Sequence, residues 1–186
     1  MPEVSTSEHV VHVVRIIFLA VCTGLAIAGT FGTQYKSNDD TTSIYLYQID
    51  VGGTKTKVPD FTFSCDEHKS MRTASLAFGI IGWSSLALCL FFSFPPFFPK
   101  ADCSGFRFIA AGARLGFTVA AAISLLIAFA ISAALYNGQY CNSTLGDTFS
   151  YGYGFGLLVT SWCLTFAFLV FEVLTLLFKL GGMRTC

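Results

Sequence analysis

Four long apolar blocks, each set off from the next by a polar segment, decide what this chain can fold into. They cover about 11–31, 73–94, 108–136 and 155–178, and their apolar residues are massed together instead of recurring at the period of a surface helix. About 20 such residues, rising 1.5 Å each, cross the roughly 30 Å of a bilayer's hydrocarbon. Charged residues make up only 12% of the 186, about half the share of an ordinary soluble domain. The expectation is a membrane protein with four spanning helices.

The third block is the longest and is expected to tilt or to run past the headgroups. The first block has an Ala26-Ile27-Ala28 triplet that a signal peptidase could accept. Its apolar core runs about 17 residues from Ile16, long for a signal segment, so it is read as a retained span. Residues 1–186 then form one membrane domain, with outer loops at 32–72 and 137–154. Pro95, Pro96 and Pro99 stiffen the short inner connection. An even number of spans places both termini on one side.

Arg15, Lys100, Arg107, Arg114, Lys179 and Arg184 would share the terminus side, against Lys36, Lys55, Lys57, Lys69 and Arg72 on the other. That bias is small, but the positive-inside tendency favours cytoplasmic termini. Asn142-Ser143-Thr144 is a glycosylation sequon, useful only on the outer side, and agrees with it. The expected topology has both termini cytoplasmic and the two larger loops outside.

In the first outer loop, Thr42–Val51 is rich in β-branched and aromatic residues. Gly52-Gly53 and a second β-prone run at Thr54–Val58 follow it. This predicts a β-hairpin or small sheet outside the membrane. Two strands alone are marginal, so it should pack on the helix ends or the second loop, or pair with another chain. Tyr45, Tyr47, Phe61 and Phe63 are candidates for a contact surface, and the plainer alternative is that half of them pack inward.

Of seven cysteines, Cys22, Cys89 and Cys163 fall within spans and read as small core residues. Cys65 and Cys141 are the two on the outer side. A disulfide between the outer loops is the natural pairing; two free or intermolecular thiols are the alternative.

Small residues recur every fourth position: Ala20, Gly24, Ala28 and Gly32 in the first span; Ser75 and Gly79 in the second. The third has Gly112, Gly116, Ala120, Ser124, Ala128 and Ser132, and the fourth Gly152, Gly156 and Thr160. Such stripes let helix backbones approach closely, and they should line the bundle interior or face a second protomer. Arg114 and Glu172 lie inside spans at similar depth, where a charge is costly unless paired. An Arg114–Glu172 ion pair joining the third and fourth helices is expected, with Arg15 at the edge of the first span.

The segment Tyr151–Leu164, with Gly152, Gly154, Phe155, Gly156, Leu157, Trp162, Cys163 and Leu164, resembles the start of the fourth span in amastins, surface membrane proteins of kinetoplastids. Cys65, followed by Lys69, Arg72 and Ala74, and Cys141 in a short second loop are also similar to that family. The chain departs from it in the first outer loop, where amastins carry two cysteines around a Trp-Gly pair. Here there is one cysteine, and the only tryptophans are Trp83 and Trp162. The resemblance implies a claudin-like plan of four helices with an outer sheet.

No nucleophile with its base, no phosphate loop and no spaced metal-ligand set is present. His9 and His12 lack a third ligand, and Cys65-Asp66-Glu67-His68 is too crowded to converge on one ion. Zero net charge gives no reason to bind nucleic acid. The expectation is a non-enzymatic chain with no cofactor or metal. Its partners would be membrane lipid and either copies of itself or other membrane proteins. The resemblance implies a structural, adhesive or membrane-contact role. The alternatives are an oligomeric transporter or channel subunit for small ions or lipids, or an accessory subunit of a larger membrane complex.

Overall fold

In a computed structural model, the structure describes residues 6–39, 41–57, 66–94, 104–140 and 143–183. Its four helices are α1 (Thr6–Phe31), α2 (Asp66–Phe91), α3 (Ser104–Asn137) and α4 (Tyr153–Met183). Four segments are long and apolar enough to cross a membrane: Val10–Phe31, Glu67–Phe91, Ala110–Asn137 and Tyr153–Leu177. Helices suit these segments because lipid offers no partner for backbone N–H and C=O groups, which an α-helix pairs internally. The second begins earlier than its apolar block, since Glu67, His68, Lys69 and Arg72 continue the helix upward. α3, of 34 residues, measures about 50 Å and outreaches the hydrocarbon.

The helices run antiparallel in sequence around a square bundle: α1 packs on α2 and α4, and α3 packs on the same two. Leu19, Leu86, Leu125 and Leu158, one from each helix, are fully buried at its axis with Cys22, Cys89, Ala121 and Ala128. Ring pairs fill the remaining space: Phe18 on Phe168 at 5.6 Å, Phe92 on Phe117 at 5.7 Å and Phe129 against Trp162 at 5.2 Å. Lipid tails are as apolar as leucine, so close packing and buried hydrogen bonds must hold such helices together. The Ser75 hydroxyl donates to the Ala128 carbonyl at 2.8 Å and lies 3.0 Å from Ser132 Oγ, joining α2 to α3. Ser161 on α4 donates to the Cys22 carbonyl on α1 at 3.0 Å.

The small-residue stripes only partly follow the expectation. Ser75, Gly79, Ser124, Ala128 and Ser132 do face inward. Ala20, Gly24 and Ala28 point out of the bundle, as do Gly112, Gly116, Gly156 and Thr160. α1 seats Leu19, Cys22, Ala26 and Gly29 instead. A Cβ at Gly29 would stand 2.6 Å from the Leu158 amide nitrogen, so this glycine sets the α1–α4 approach. Both faces of α1 include small residues, and the buried one also carries the Thr23 and Thr30 hydroxyls. Cys163, expected in the core, is exposed on the outer surface of α4, whereas Cys22 and Cys89 are buried.

One end of the bundle carries a five-stranded antiparallel sheet in the order β4-β3-β2-β1-β7. Its strands are β1 (Thr33–Ser37), β2 (Thr42–Tyr45), β3 (Gln48–Val51), β4 (Thr54–Lys57) and β7 (Phe149–Tyr151). A separate two-stranded ribbon pairs β5 (Gln139–Tyr140) with β6 (Ser143–Thr144). The run Thr42–Val51, expected as one strand, folds back at Leu46-Tyr47 into β2 and β3. Leu46 is buried at that corner. The predicted Gly-Gly turn joins β3 to β4: Gly52 and Gly53 have φ of 58° and 87°, the left-handed region a tight hairpin turn requires. The sheet is not confined to the first loop, because β7 of the second loop pairs with β1, Tyr35 opposite Tyr151.

Candidate functional site

Two places concentrate the polar and aromatic chemistry: the joint where the sheet sits on the bundle, and a buried charge cluster near the opposite end.

At the joint, α1 runs directly into β1. Gln34 and Tyr35, both fully buried, lock that passage. The Gln34 amide donates to the Gly29 carbonyl at 2.6 Å, occupying an acceptor left open where the helix ends. A register shift between Thr33 and Tyr35 lets consecutive side chains of β1 turn inward. The Tyr35 hydroxyl donates to the Ser132 carbonyl of α3. Burial pushes its phenol well above the ordinary range, with the nearby Arg72 guanidinium opposing this. Arg72, buried at the head of α2, donates to the Tyr45 carbonyl of β2 at 3.3 Å. An aromatic column continues outward: Tyr136 stacks on Tyr151 at 3.9 Å and Tyr151 on Phe155 at 4.3 Å.

The Gly-rich motif of the fourth span finds its physical reason here. The Gly152 amide donates to the Gln34 carbonyl at 2.7 Å, and a Cβ at Gly152 would collide with the Thr33 carbonyl. A Cβ at Gly154 would lie 2.6 Å from the Gly32 carbonyl carbon. Two glycines therefore let α4 begin against the backbone of the α1–β1 passage. Phe155 joins the aromatic column, and Trp162 packs between Phe129 and Phe166. Gly156 faces open space, and nothing in the structure explains its lack of a side chain.

Tyr45 and Tyr47 are half-buried. Their rings lie 5.8 Å apart, and Tyr47 meets Phe31 at the C-terminal end of α1 at 5.9 Å. The β3–β4 hairpin is exposed at Val51, Gly52, Gly53, Thr54, Lys55 and Lys57. Phe61, Phe63, Cys65, Cys141 and Asn142 lie outside the described residues.

The second place corrects the expected ion pair. Glu172 meets Arg15, not Arg114, across the α1–α4 contact: Arg15 Nε lies 2.6 Å from Glu172 Oε1, with both side chains buried. The approach is a charge contact, because the N–H···O alignment is not that of a hydrogen bond. Arg15 stands five residues inside Val10 and Glu172 five inside Leu177, so antiparallel α1 and α4 bring them level. Arg114, four residues inside Ala110, lies at the same depth on α3. It is within electrostatic range of both, and its Nε has no hydrogen-bond partner among the described residues. Sequence reasoning missed Arg15 as a partner by placing it at the span edge. Its level match with Glu172 was the available signal. Among the described residues no three His, Cys, Asp or Glu side chains gather as metal ligands.

Four helices able to cross the membrane, capped at one end by a small sheet drawn from both loops on that side, define a multi-pass membrane protein of the four-span class. The family model described as amastin surface glycoprotein matches residues 13–171, most of the chain, and the chain belongs to that family. No curated protein sequence matches it.

Proposed function

We propose that this amastin-family protein is a non-enzymatic component of the plasma membrane that makes contacts at the cell surface through its sheet end. In this reading both termini are cytoplasmic and the sheet is extracellular. Further copies or other membrane proteins bind laterally. The observation that carries the reading is the construction of the sheet end. An exposed hairpin, β3–β4, stands on a joint held by Gln34, Tyr35 and Arg72, three buried polar side chains. A rigid mount under an exposed tip suits recognition, because little order has to be imposed when a partner binds. Lys55 and Lys57 on the edge strand discourage strand addition, so contact runs through side chains of the tip. The axis of the bundle is filled by leucines and aromatic rings, which weighs against a pore within one chain.

The test is vesicle tethering. Protein reconstituted with the sheet outward should aggregate vesicles. A triple variant, Val51→Asp with Lys55→Glu and Lys57→Glu, should lower aggregation to the level of empty vesicles while helix content stays unchanged. Aggregation that is equal for both proteins, or absent for the parent, contradicts the contact role.

A further inference from the structure

An open groove of about 380 Å³ runs between α1 and α4 at the end of the bundle away from the sheet. Val10, Val14 and Phe18 line it on α1, Ala167 and Phe171 on α4, and the wall is apolar except where Arg15 enters it. From Val10 to Phe18 it extends about 12 Å along the helix, starting at the level where the span begins. A groove of that length, apolar along its wall and open on one side, has room for part of an extended hydrocarbon chain. That is the shape of a lipid tail entering from the interface.

The charges beside the groove say which lipid. Arg15, Arg114 and Glu172 share one depth, and arginine does not lose its proton in a protein. Two guanidinium groups against one carboxylate leave a single positive charge uncompensated. Among the described side chains no second acid stands at this end. An unbalanced charge below the headgroups is expensive and draws an anion to the nearest opening. We propose that the α1–α4 groove holds one acyl chain of an anionic phospholipid, whose headgroup sits above Val10 and balances the excess charge of the Arg15, Arg114 and Glu172 cluster. The lipid also closes the gap between the two helices, so it acts as a structural ligand of the bundle.

The test uses the full chain in nanodiscs containing equal amounts of phosphatidylglycerol and phosphatidylcholine with identical tails. Mild extraction and native mass spectrometry then count retained lipid. The expected result is one phosphatidylglycerol per chain, favoured at least tenfold over phosphatidylcholine. Ala167→Phe fills the groove from an exposed position and should abolish retention. Gly24→Leu, on the open outer face of α1, should leave it intact. Arg114→Met removes the excess charge and should equalise the two lipids without emptying the groove. Should Ala167→Phe not fold, Val14→Trp, at another exposed groove position, replaces it. Equal retention of both lipids by the parent, or full retention by the groove-filling variant, overturns the proposal.

Discussion

Arg15 and Glu172 meet at 2.6 Å across two antiparallel helices, both buried, about one and a half turns inside the ends of their spans. They fix the rotation of α1 against α4, since a turn of either helix by one residue would point a charge into lipid. Replacing either partner alone breaks this buried contact and leaves the other without its counterpart across the α1–α4 seam, at a cost of up to about 3–5 kcal/mol. Arg15→Met and Glu172→Leu should each lower thermal stability in detergent, and the double variant should recover most of the loss. The same cycle with Arg114→Met should give a smaller coupling. A larger coupling for Arg114 would make α3, not α1, the partner helix of Glu172.

The glycines fall into two groups with opposite expectations. Gly29→Val forces a side chain onto the Leu158 backbone, and Gly154→Val onto that of Gly32. Each should destabilise by about 1–3 kcal/mol or more, as overpacking does. Gly24→Ala, with nothing within 4 Å, should be neutral or slightly stabilising through helix propensity. Unfolding midpoints of the three variants in one detergent check the ranking.

What sequence could and could not show follows from the same contrast. The four spans were legible because lipid demands unbroken apolar length, which needs no knowledge of neighbours. The Gly52-Gly53 hairpin was legible because its turn chemistry is local. β1 and β7 were not: each is a few residues long, and Tyr35 and Tyr151 form strands only because they pair across 116 positions. Helix rotation was also hidden. Gly24 and Ala26 are both small, and only packing against α4 tells which one faces in. Arg15 was missed for another reason, its placement at the span edge, although its level match with Glu172 could be counted.

Tyr35 predicts an alkaline limit. Its phenol is pushed above the ordinary value near 10, chiefly by burial, so the neutral form belongs to the folded state. Its contribution is complete below about pH 10 and is lost as pH rises above that, since the unfolded chain ionises first. Stability should fall by up to about 1.4 kcal/mol per pH unit there. Tyr35→Phe should flatten this slope while lowering stability at neutral pH by the lost hydrogen bond to Ser132. Denaturation midpoints between neutral pH and pH ~11 check it.

Cys65 directly precedes α2, and Cys141 lies between β5 and β6. If the outer loops are joined by a disulfide, both thiols resist alkylation until reduced, and Cys65→Ser exposes Cys141 to the reagent. Peptide mapping with and without reductant should show the linked pair. Recovery of both cysteines as alkylated thiols from unreduced protein would remove the bridge.

The account rests on the sheet facing outward, and a membrane-impermeant maleimide tests this on intact cells. A cysteine placed at Lys55, in the exposed hairpin, should label without permeabilisation and above the background of the unmodified chain. A tag on either terminus should bind its antibody only after permeabilisation. Labelling of the hairpin cysteine only after permeabilisation, with termini accessible from outside, would invert the topology and contradict a surface-contact role.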